Sequence, residues 1–485
     1  MNEFFGIDFG TTNSAVVGRL RQNTTQYDDG TGQPFPSLVA ISRDTGKVQA
    51  IGREAWNHRL ELAESCEILS SAKMYLGTDK VWRIGPEAWT PESVVTEVLK
   101  GLRSRVSERG SGAVLDSAVI AIPVGFAPEK RRALRKAARD AGIDIKGFVS
   151  EPTAAVFRNF EKVYQWPTVA VFDWGGGTLD ISVVSIRGDV IEEIATVSNQ
   201  LGGDVLDRML AEWAHMQILR KGSRNGPPFD GMGTIYRDLL LSQCEMAKRT
   251  LVNEDLAEIS VLRYGEFGTV NLVLTEEKFS ELLRPKINEA IATLEEGVQN
   301  RARLSFDQIG CIVMVGGSSK LRGLRASMDK KGWSCDIQFP PDSEWHVADG
   351  AAILSSSFGE YISAQSIGIR LCDNTVYPII KKGEKASFHS HVATFGLVED
   401  VDNARFVFVE CKDGAGGGQT SMDKILGYLS VPAYGFSNEP IRLNSQIDDD
   451  LLLQVTARSQ NKAKMHELTW TYGDVRFSYQ LPKRI

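Results

Sequence analysis

The stretch Gly6-Ile7-Asp8-Phe9-Gly10-Thr11-Thr12-Asn13-Ser14-Ala15-Val16-Val17 decides how the rest of the chain is read. Phe4, Phe5 and Ile7 lead in as one strand, and Ala15 to Val17 lead out as a second apolar β-type run. The turn between them is small and rich in hydroxyls. Gly10 lets a ligand approach the backbone, successive N–H groups of such a turn form a concave anion site, and Thr11 and Thr12 add donors. Asp8 stands at its mouth. A carboxylate beside a phosphate site is repulsive unless a divalent cation lies between them, directly or through its waters. The competing reading is a glycine-containing hairpin with an incidental Asp.

The pattern recurs in Thr168-Val169-Ala170-Val171-Phe172-Asp173-Trp174-Gly175-Gly176-Gly177-Thr178-Leu179-Asp180-Ile181-Ser182-Val183-Val184. Both stretches carry Asp, aromatic, Gly and Thr in that order, which predicts an internal duplication. Two facing hairpins would clasp a polyphosphate, with Asp8 and Asp173 flanking one cation. A third glycine turn, Gly202-Gly203-Asp204, opens a predicted helix over 205–220, and a helix N-terminus suits an anion. A fourth, Gly316-Gly317-Ser318-Ser319, follows the apolar run 311–315, and its backbone could lie flat against a base or ribose. Glu245, Lys248 and Arg249 share one helix face, as ligand contacts or as a surface ion-pair face. No G-x-x-x-x-G-K-[ST] occurs, nor a G-x-G-x-x-G after a strand, so neither a P-loop nor a Rossmann site is expected.

The bulk composition sets wide bounds. The chain has 485 residues, 42% hydrophobic and 24% charged, a globular composition with room for roughly two to four domains. A net charge of −7 argues against nucleic acid or an anionic membrane as the main partner. Six cysteines (Cys66, Cys244, Cys311, Cys335, Cys372, Cys411) form no C-x-x-C and fit buried thiols in a reducing compartment. No signal-like flank and no membrane-length apolar run is evident, so the expected location is cytoplasmic. His389-Ser390-His391 could set two imidazoles on one strand face, though a solvated strand explains them as well.

Residues 1–50 read as β-meander and 52–75 as helical, with Lys73 as a helix C-terminal lysine before the stop at Gly77. A helix over 91–110 presents Val94, Val95, Val98, Leu99 and Leu102 on one face. The buried strand 118–122 ends at Pro123, and a basic helix covers 128–141. Ser150-Glu151-Pro152-Thr153-Ala154-Ala155 starts a tightly packed helix, with Glu151 an ordinary first-turn residue. Strands return over 259–274, one long helix or two cover 275–303, and a helix spans 347–356.

Together these motifs resemble the seventy-kilodalton heat-shock chaperones of the actin and sugar-kinase superfamily. Gly6 to Ser14 is similar to the family's first phosphate motif, Phe172 to Asp180 to its second, Ser150 to Ala155 to its connecting motif, and Val315 to Ser319 to its adenosine motif. The resemblance implies an α/β actin-like two-lobed ATPase domain over 1–360, a short linker over 361–366 and an all-β sandwich domain over 367–485. It implies ATP/ADP and Mg2+ as cofactors, and ATP hydrolysis. Lys73 would contact the phosphoryl group and the attacking water, and Glu151 would orient solvent. Asp8 and Asp173 would hold the magnesium, mainly through water, and Thr178 would donate to the γ-phosphate. Gly10, Thr11, Thr12, Asn13, Gly175, Gly176, Gly177, Gly202, Gly203 and Asp204 would line the phosphates. Glu245, Lys248, Arg249, Gly316, Gly317, Ser318 and Lys320 would cradle the adenosine. Pro123 and Arg131 match positions that relay nucleotide state. Val252 replaces a usual serine and Lys320 a usual arginine, and lysine stacks less well on a base.

The last third carries a weaker likeness. Ser366-Ile367-Gly368-Ile369-Arg370 resembles the start of the family's peptide-binding β-domain, with Ile369 facing a peptide cleft. Strands are expected over 376–380, 405–410, 451–458, 467–472 and 475–481, a late hairpin over 447–457 and a loose loop over 414–418. The stretch 358–365 lacks the family's leucine-rich linker, and a helical lid after the last strand is expected to be missing. The implied partners are polypeptide clients and co-chaperones, with no nucleic acid and no membrane. The rivals are a nucleotide-switched scaffold holding one dedicated protein, a small-molecule kinase of the same superfamily, and a nucleotide sensor that barely hydrolyses ATP.

Overall fold

The two glycine hairpins each occupy the middle of a sheet, and the two sheets share one plan. In the first, the strand order is Asp144–Ser150, Ser117–Ile122, Phe4–Phe9, Asn13–Leu20, Asn23–Gln26. Five consecutive strands of the second, seven-stranded sheet follow the same plan: Asp336–Gln338, Cys311–Val315, Thr168–Trp174, Leu179–Arg187, Val190–Asn199. Each central strand pairs parallel with one neighbour and antiparallel with its own hairpin partner. These strands are apolar along their length because both sheet faces are covered. Register puts Asp8 opposite Ala15 and Ala121, and Asp173 opposite Asp180 and Val315. Both aspartates therefore stand at the carboxyl end of a central strand, the edge at which open α/β sheets take ligands.

This computed structural model describes residues 3–21, 23–109, 112–222, 226–398, 402–411, 424–433, 439–459 and 467–481. The loop expected over 414–418 lies outside them. The chain divides into one compact unit of Met1–Val124, Ala133–Ile186 and Glu193–Ser356, and a second of Gly125–Arg132, Arg187–Glu192 and Ser357–Ile485.

In the first unit, helices Glu151–Arg158 and His346–Ser356 meet through small residues. A Cβ on Gly350 would lie 2.0 Å from the Ala154 carbonyl oxygen, and one on Gly6 would lie 2.1 Å from the Ala352 nitrogen. Backbones in contact at these points leave room for no side chain, which explains the alanine-rich wording of both helices. The segment expected to be helical over 52–75 is instead two short helices, Gly52–Asn57 and Arg59–Ser65, then the strand Cys66–Ser70. That strand pairs with Leu38–Ser42 and buries Cys66 and Leu69, so a distant strand decides its conformation. Helix Glu276–Glu295 runs on into the wider turn Glu296–Arg301.

The second unit contains two four-stranded antiparallel sheets. One is ordered Val376–Ile380, Ser366–Arg370, Asn403–Cys411, Lys424–Pro432, and the other Ser390–Gly396, Pro440–Ile447, Leu453–Ser459, Leu468–Tyr472. Ile367, Ile369 and Phe408 from the first and Leu443, Val455 and Ala457 from the second share one apolar core. Ile369 is 2% exposed, so it packs inside this core and faces no cleft. Strand Ser390–Gly396 extends the strand expected around His389–His391, whereas Lys424–Pro432 and most of Pro440–Ile447 carry no expectation from sequence. The expected late hairpin forms around Asp448, which accepts from the N–H groups of Asp450 and Leu452 at 3.0 Å each. Within the span expected as linker, Glu360–Ser363 is a strand paired with Phe477–Gln480, and Ser366 already begins the next strand. His389 precedes its strand, is buried, and contacts Glu384 Oε1 at 2.9 Å and Ser445 Oγ at 3.2 Å. His391 instead meets the Tyr377 hydroxyl at 3.1 Å, so the two imidazoles do not share one face.

Candidate functional site

The site grows from one buried ion pair. Ser71, in the left-handed region at φ 58°, turns the chain out of strand Cys66–Ser70 into the single 3-10 turn Ala72–Tyr75. That turn carries Lys73, only 7% exposed, and its Nζ donates to Glu151 Oε1 at 3.2 Å. Glu151 is the first residue of its helix. The preceding Ser150 caps the turn by accepting from the Thr153 N–H at 3.2 Å, and Pro152 has no N–H to satisfy. Neither side chain is a solvated helix residue, the plainer reading of each from sequence. A buried ammonium is tolerable only when paired.

Carboxylates crowd around this pair. Burial raises Glu151 against the pull of Lys73, and the charges of Asp8 and Asp180 add to the rise, leaving it at about 7. Burial raises Asp8 against the pull of Lys73. Asp173 stands well above the usual carboxylate range through burial and the charges of Glu151, Asp8 and Asp180. Four acids thus face one ammonium, and such a donor set suits a hard divalent cation. Among the described residues no three His, Cys, Asp or Glu side chains converge closely enough to ligate one ion. An ion here would keep much of its water shell, with Asp8 and Asp173 as its protein neighbours.

The glycine turns face one another beside the cluster. A Cβ on Gly176 would stand 2.7 Å from Thr12 Oγ1, and one on Gly177 3.7 Å from Thr11 Cβ. The Gly175 N–H closes its own turn onto the Thr178 carbonyl at 3.0 Å, and Thr178 Oγ1 donates to Asp180 Oδ2 at 2.7 Å. The first turn is braced by Ser37, which sequence reasoning missed: its hydroxyl donates to the Gly10 carbonyl at 3.0 Å and its N–H to the Thr12 carbonyl at 2.9 Å. Asn13 begins the outgoing strand opposite Pro36.

Gly202 and Gly203 are buried against the second turn. The N–H groups of Gly203 and Asp204 donate to the Gly175 and Gly176 carbonyls at 3.0 and 2.8 Å. Those two donors are therefore engaged in shaping the turn instead of standing free for a phosphate, as the sequence had suggested. Asp204 Oδ2 accepts from Thr12 Oγ1 at 3.4 Å.

The remaining expected contacts gather nearby. Ser318 Oγ donates to the Gly175 carbonyl at 3.3 Å. Gly316, at φ 80°, passes so close that a Cβ would sit 2.7 Å from Asp173 Oδ1, whereas Gly317 is exposed with open space beside it. Lys248 Nζ donates to Asp207 Oδ2 at 2.6 Å and to the Gly203 carbonyl at 3.2 Å. Burial lifts Asp207 to about 6 against the pull of Lys248, and no sequence signal marked it. Arg249 donates to Glu245 Oε1 at 2.6 Å and to Gln33 Oε1 at 3.1 Å, and Lys320 pairs with Glu344. Pro123 follows strand Ser117–Ile122 in the first unit. Arg131 belongs to the second, where it donates to the Gly473 carbonyl at 3.3 Å.

These features define a mixed α/β chain of several sheets with a buried acidic site between glycine turns. The family model described as Hsp70 protein matches residues 80–475. The chain belongs to the Hsp70 family, whose members are ATPases that bind ATP or ADP with Mg2+ and act on polypeptides. The matched span begins after the first hairpin and Lys73. Among the described residues no helix is long and apolar enough to cross a membrane.

Proposed function

We propose that this chain is an ATP-hydrolysing, chaperone-like protein, with an actin-like two-lobed nucleotide domain over 1–360 joined at 361–366 to a β-sandwich over 367–485. The sandwich would bind and release extended polypeptide under nucleotide control. The observation that carries this reading is the buried Lys73–Glu151 pair among Asp8, Asp173 and Asp180, beside two facing glycine turns. Hydrolysis of a phosphoanhydride needs positioning and charge stabilisation more than covalent chemistry. Lys73 would neutralise charge growing on the transferred phosphoryl oxygens. Glu151, once ionised, would accept a hydrogen bond from the attacking water and hold it in line. Thr178 would exchange its bond to Asp180 for a phosphate oxygen. The turns at 10–13 and 175–177 would receive the phosphates, and Glu245, Lys248, Arg249, Ser318 and Lys320 the nucleoside. Bound Mg2+, next to Asp8 and Asp173, would supply charge neutralisation on the phosphates. Six scattered cysteines without a C-x-x-C favour a reducing, cytoplasmic setting.

Single-turnover ATP hydrolysis by the intact chain and by Lys73→Ala tests the reading. Removing an electrostatic catalytic group of this kind should slow hydrolysis by about 100-fold or more while ADP still binds. Equal rates in both proteins would sink it.

A further inference from the structure

We propose that Glu193 is a positioning residue that locks the helix turn carrying Glu151, an inference that rests on the function proposed above. Glu193 lies on strand Val190–Asn199, beside the first turn of the helix that Glu151 begins. Its Oε1 accepts from two hydroxyls, Ser150 Oγ and Thr153 Oγ1, the latter at 2.9 Å. Those residues stand immediately before Glu151 and two positions after it.

The hydrogen bonds close a ring. The Ser150 oxygen accepts from the Thr153 N–H, and its O–H donates to Glu193. The Thr153 hydroxyl donates to the same carboxylate oxygen. Cap, first turn and neighbouring strand are thereby tied at one atom. A negative charge beside a helix N-terminus is favoured, and bonds to an ionised acceptor are the stronger kind. Burial raises the Glu193 carboxyl, and the two hydroxyl donors oppose that rise. A cap needs only a hydroxyl, and Ser150 supplies it. Adding a half-buried carboxylate beneath the cap costs desolvation with no gain in helix hydrogen bonds. It gains a fixed frame for the two residues enclosed by its two donors, Glu151 and Pro152.

The test uses the full chain, with Glu193→Ala, Glu193→Gln and Thr153→Val compared with Glu151→Gln. A misplacement of ~1 Å at a catalytic group can cost ~100-fold, so Glu193→Ala should lower single-turnover ATP hydrolysis by ~10- to 100-fold with ADP affinity changed by less than ~3-fold. The Gln amide oxygen can still accept both hydroxyls, so Glu193→Gln should recover to within ~3-fold of the unsubstituted rate. Hydrolysis unchanged in Glu193→Ala, an equal loss of hydrolysis and ADP binding, or no recovery in Glu193→Gln overturns the proposal. Should Glu193→Ala fail to fold, Thr153→Val decides: a rate loss supports the proposal and an unchanged rate overturns it. An unsubstituted chain that does not hydrolyse ATP, or an undiminished Glu151→Gln, overturns the functional reading and this one together. Active protein, inactive Glu151→Gln and unchanged Glu193→Ala overturn this one alone.

Discussion

Glu151 holds its proton to about pH 7, and that has a thermodynamic sign. An unfolded glutamate titrates near 4.5. Between those values the folded chain binds more protons than the unfolded one, so this group's contribution to stability falls as pH rises through the window. Asp8, Asp173 and Asp207 are raised too and add with the same sign, whereas His346, lowered to about 4 by burial, opposes them between about 4 and 6.5. Comparison with Glu151→Gln isolates the one group. In nucleotide-free, chelator-treated protein, thermal melts should show the variant gaining stability over the unsubstituted chain from pH 5 to pH 8, by at most about 3 kcal/mol. A difference that is flat across that range would mean the Glu151 carboxyl is not raised. Divalent cation should raise the melting temperature more at pH 8 than at pH 5, since only ionised carboxylates attract it. Little of this was legible in sequence. Lys73 and Glu151 are separated by 78 positions, each is ordinary in its own segment, and only the family likeness paired them. Glu193 gave no signal, because its partners Ser150 and Thr153 belong to a distant segment.

At the scale of elements, the hairpins and central strands were legible because a doubly covered strand is a continuous apolar run and a glycine turn ends it. What the glycines do was not legible. Gly202 and Gly317 read alike, each in a Gly-Gly turn after a strand-like stretch. Gly202 has no room: a Cβ would lie 2.1 Å from the Gly176 oxygen and 2.3 Å from the Gly177 carbonyl carbon. Both neighbours are backbone of the turn next to Asp173, so relief must move that turn. Gly202→Ala should cost about 1–3 kcal/mol and weaken ADP binding, measured by thermal unfolding and by titration. Gly317→Ala meets nothing within 4 Å and has no left-handed φ, so its stability should stay within about 0.5 kcal/mol. If the two substitutions behave alike, the close packing of the turns is not as described. Strand Cys66–Ser70 escaped sequence reading for a different reason: its pairing with Leu38–Ser42 comes from elsewhere in the chain, and it follows the helical stretch 52–65 with no glycine or proline between.

At the scale of the whole molecule, one strand order used twice brings two aspartates from distant parts of the chain to one ion pair. The recurrence of Asp, aromatic, Gly and Thr announced that plan, because each copy needs a carboxylate at a strand end and a turn without side chains. The second unit has no such recurrence. Its strands alternate as any antiparallel sheet does, and the residue singled out as a cleft contact, Ile369, belongs to the core. Whether nucleotide governs what this unit holds is a question of energies. A ligand shifts an equilibrium only by its differential affinity for two states, and a tenfold change in release corresponds to about 1.4 kcal/mol. Lys73→Ala is the useful background, since on the proposed mechanism it keeps ATP intact while peptide release is timed. With a fluorescent extended peptide, release from this variant should be at least ~10-fold faster with ATP than with ADP, the scale on which coupling between sites usually operates. Equal release rates in the two nucleotides would show that polypeptide binding is not nucleotide-gated. Recovery of one stoichiometric folded partner, in place of many unfolded ones, would then assign residues 367–485 to a dedicated scaffold.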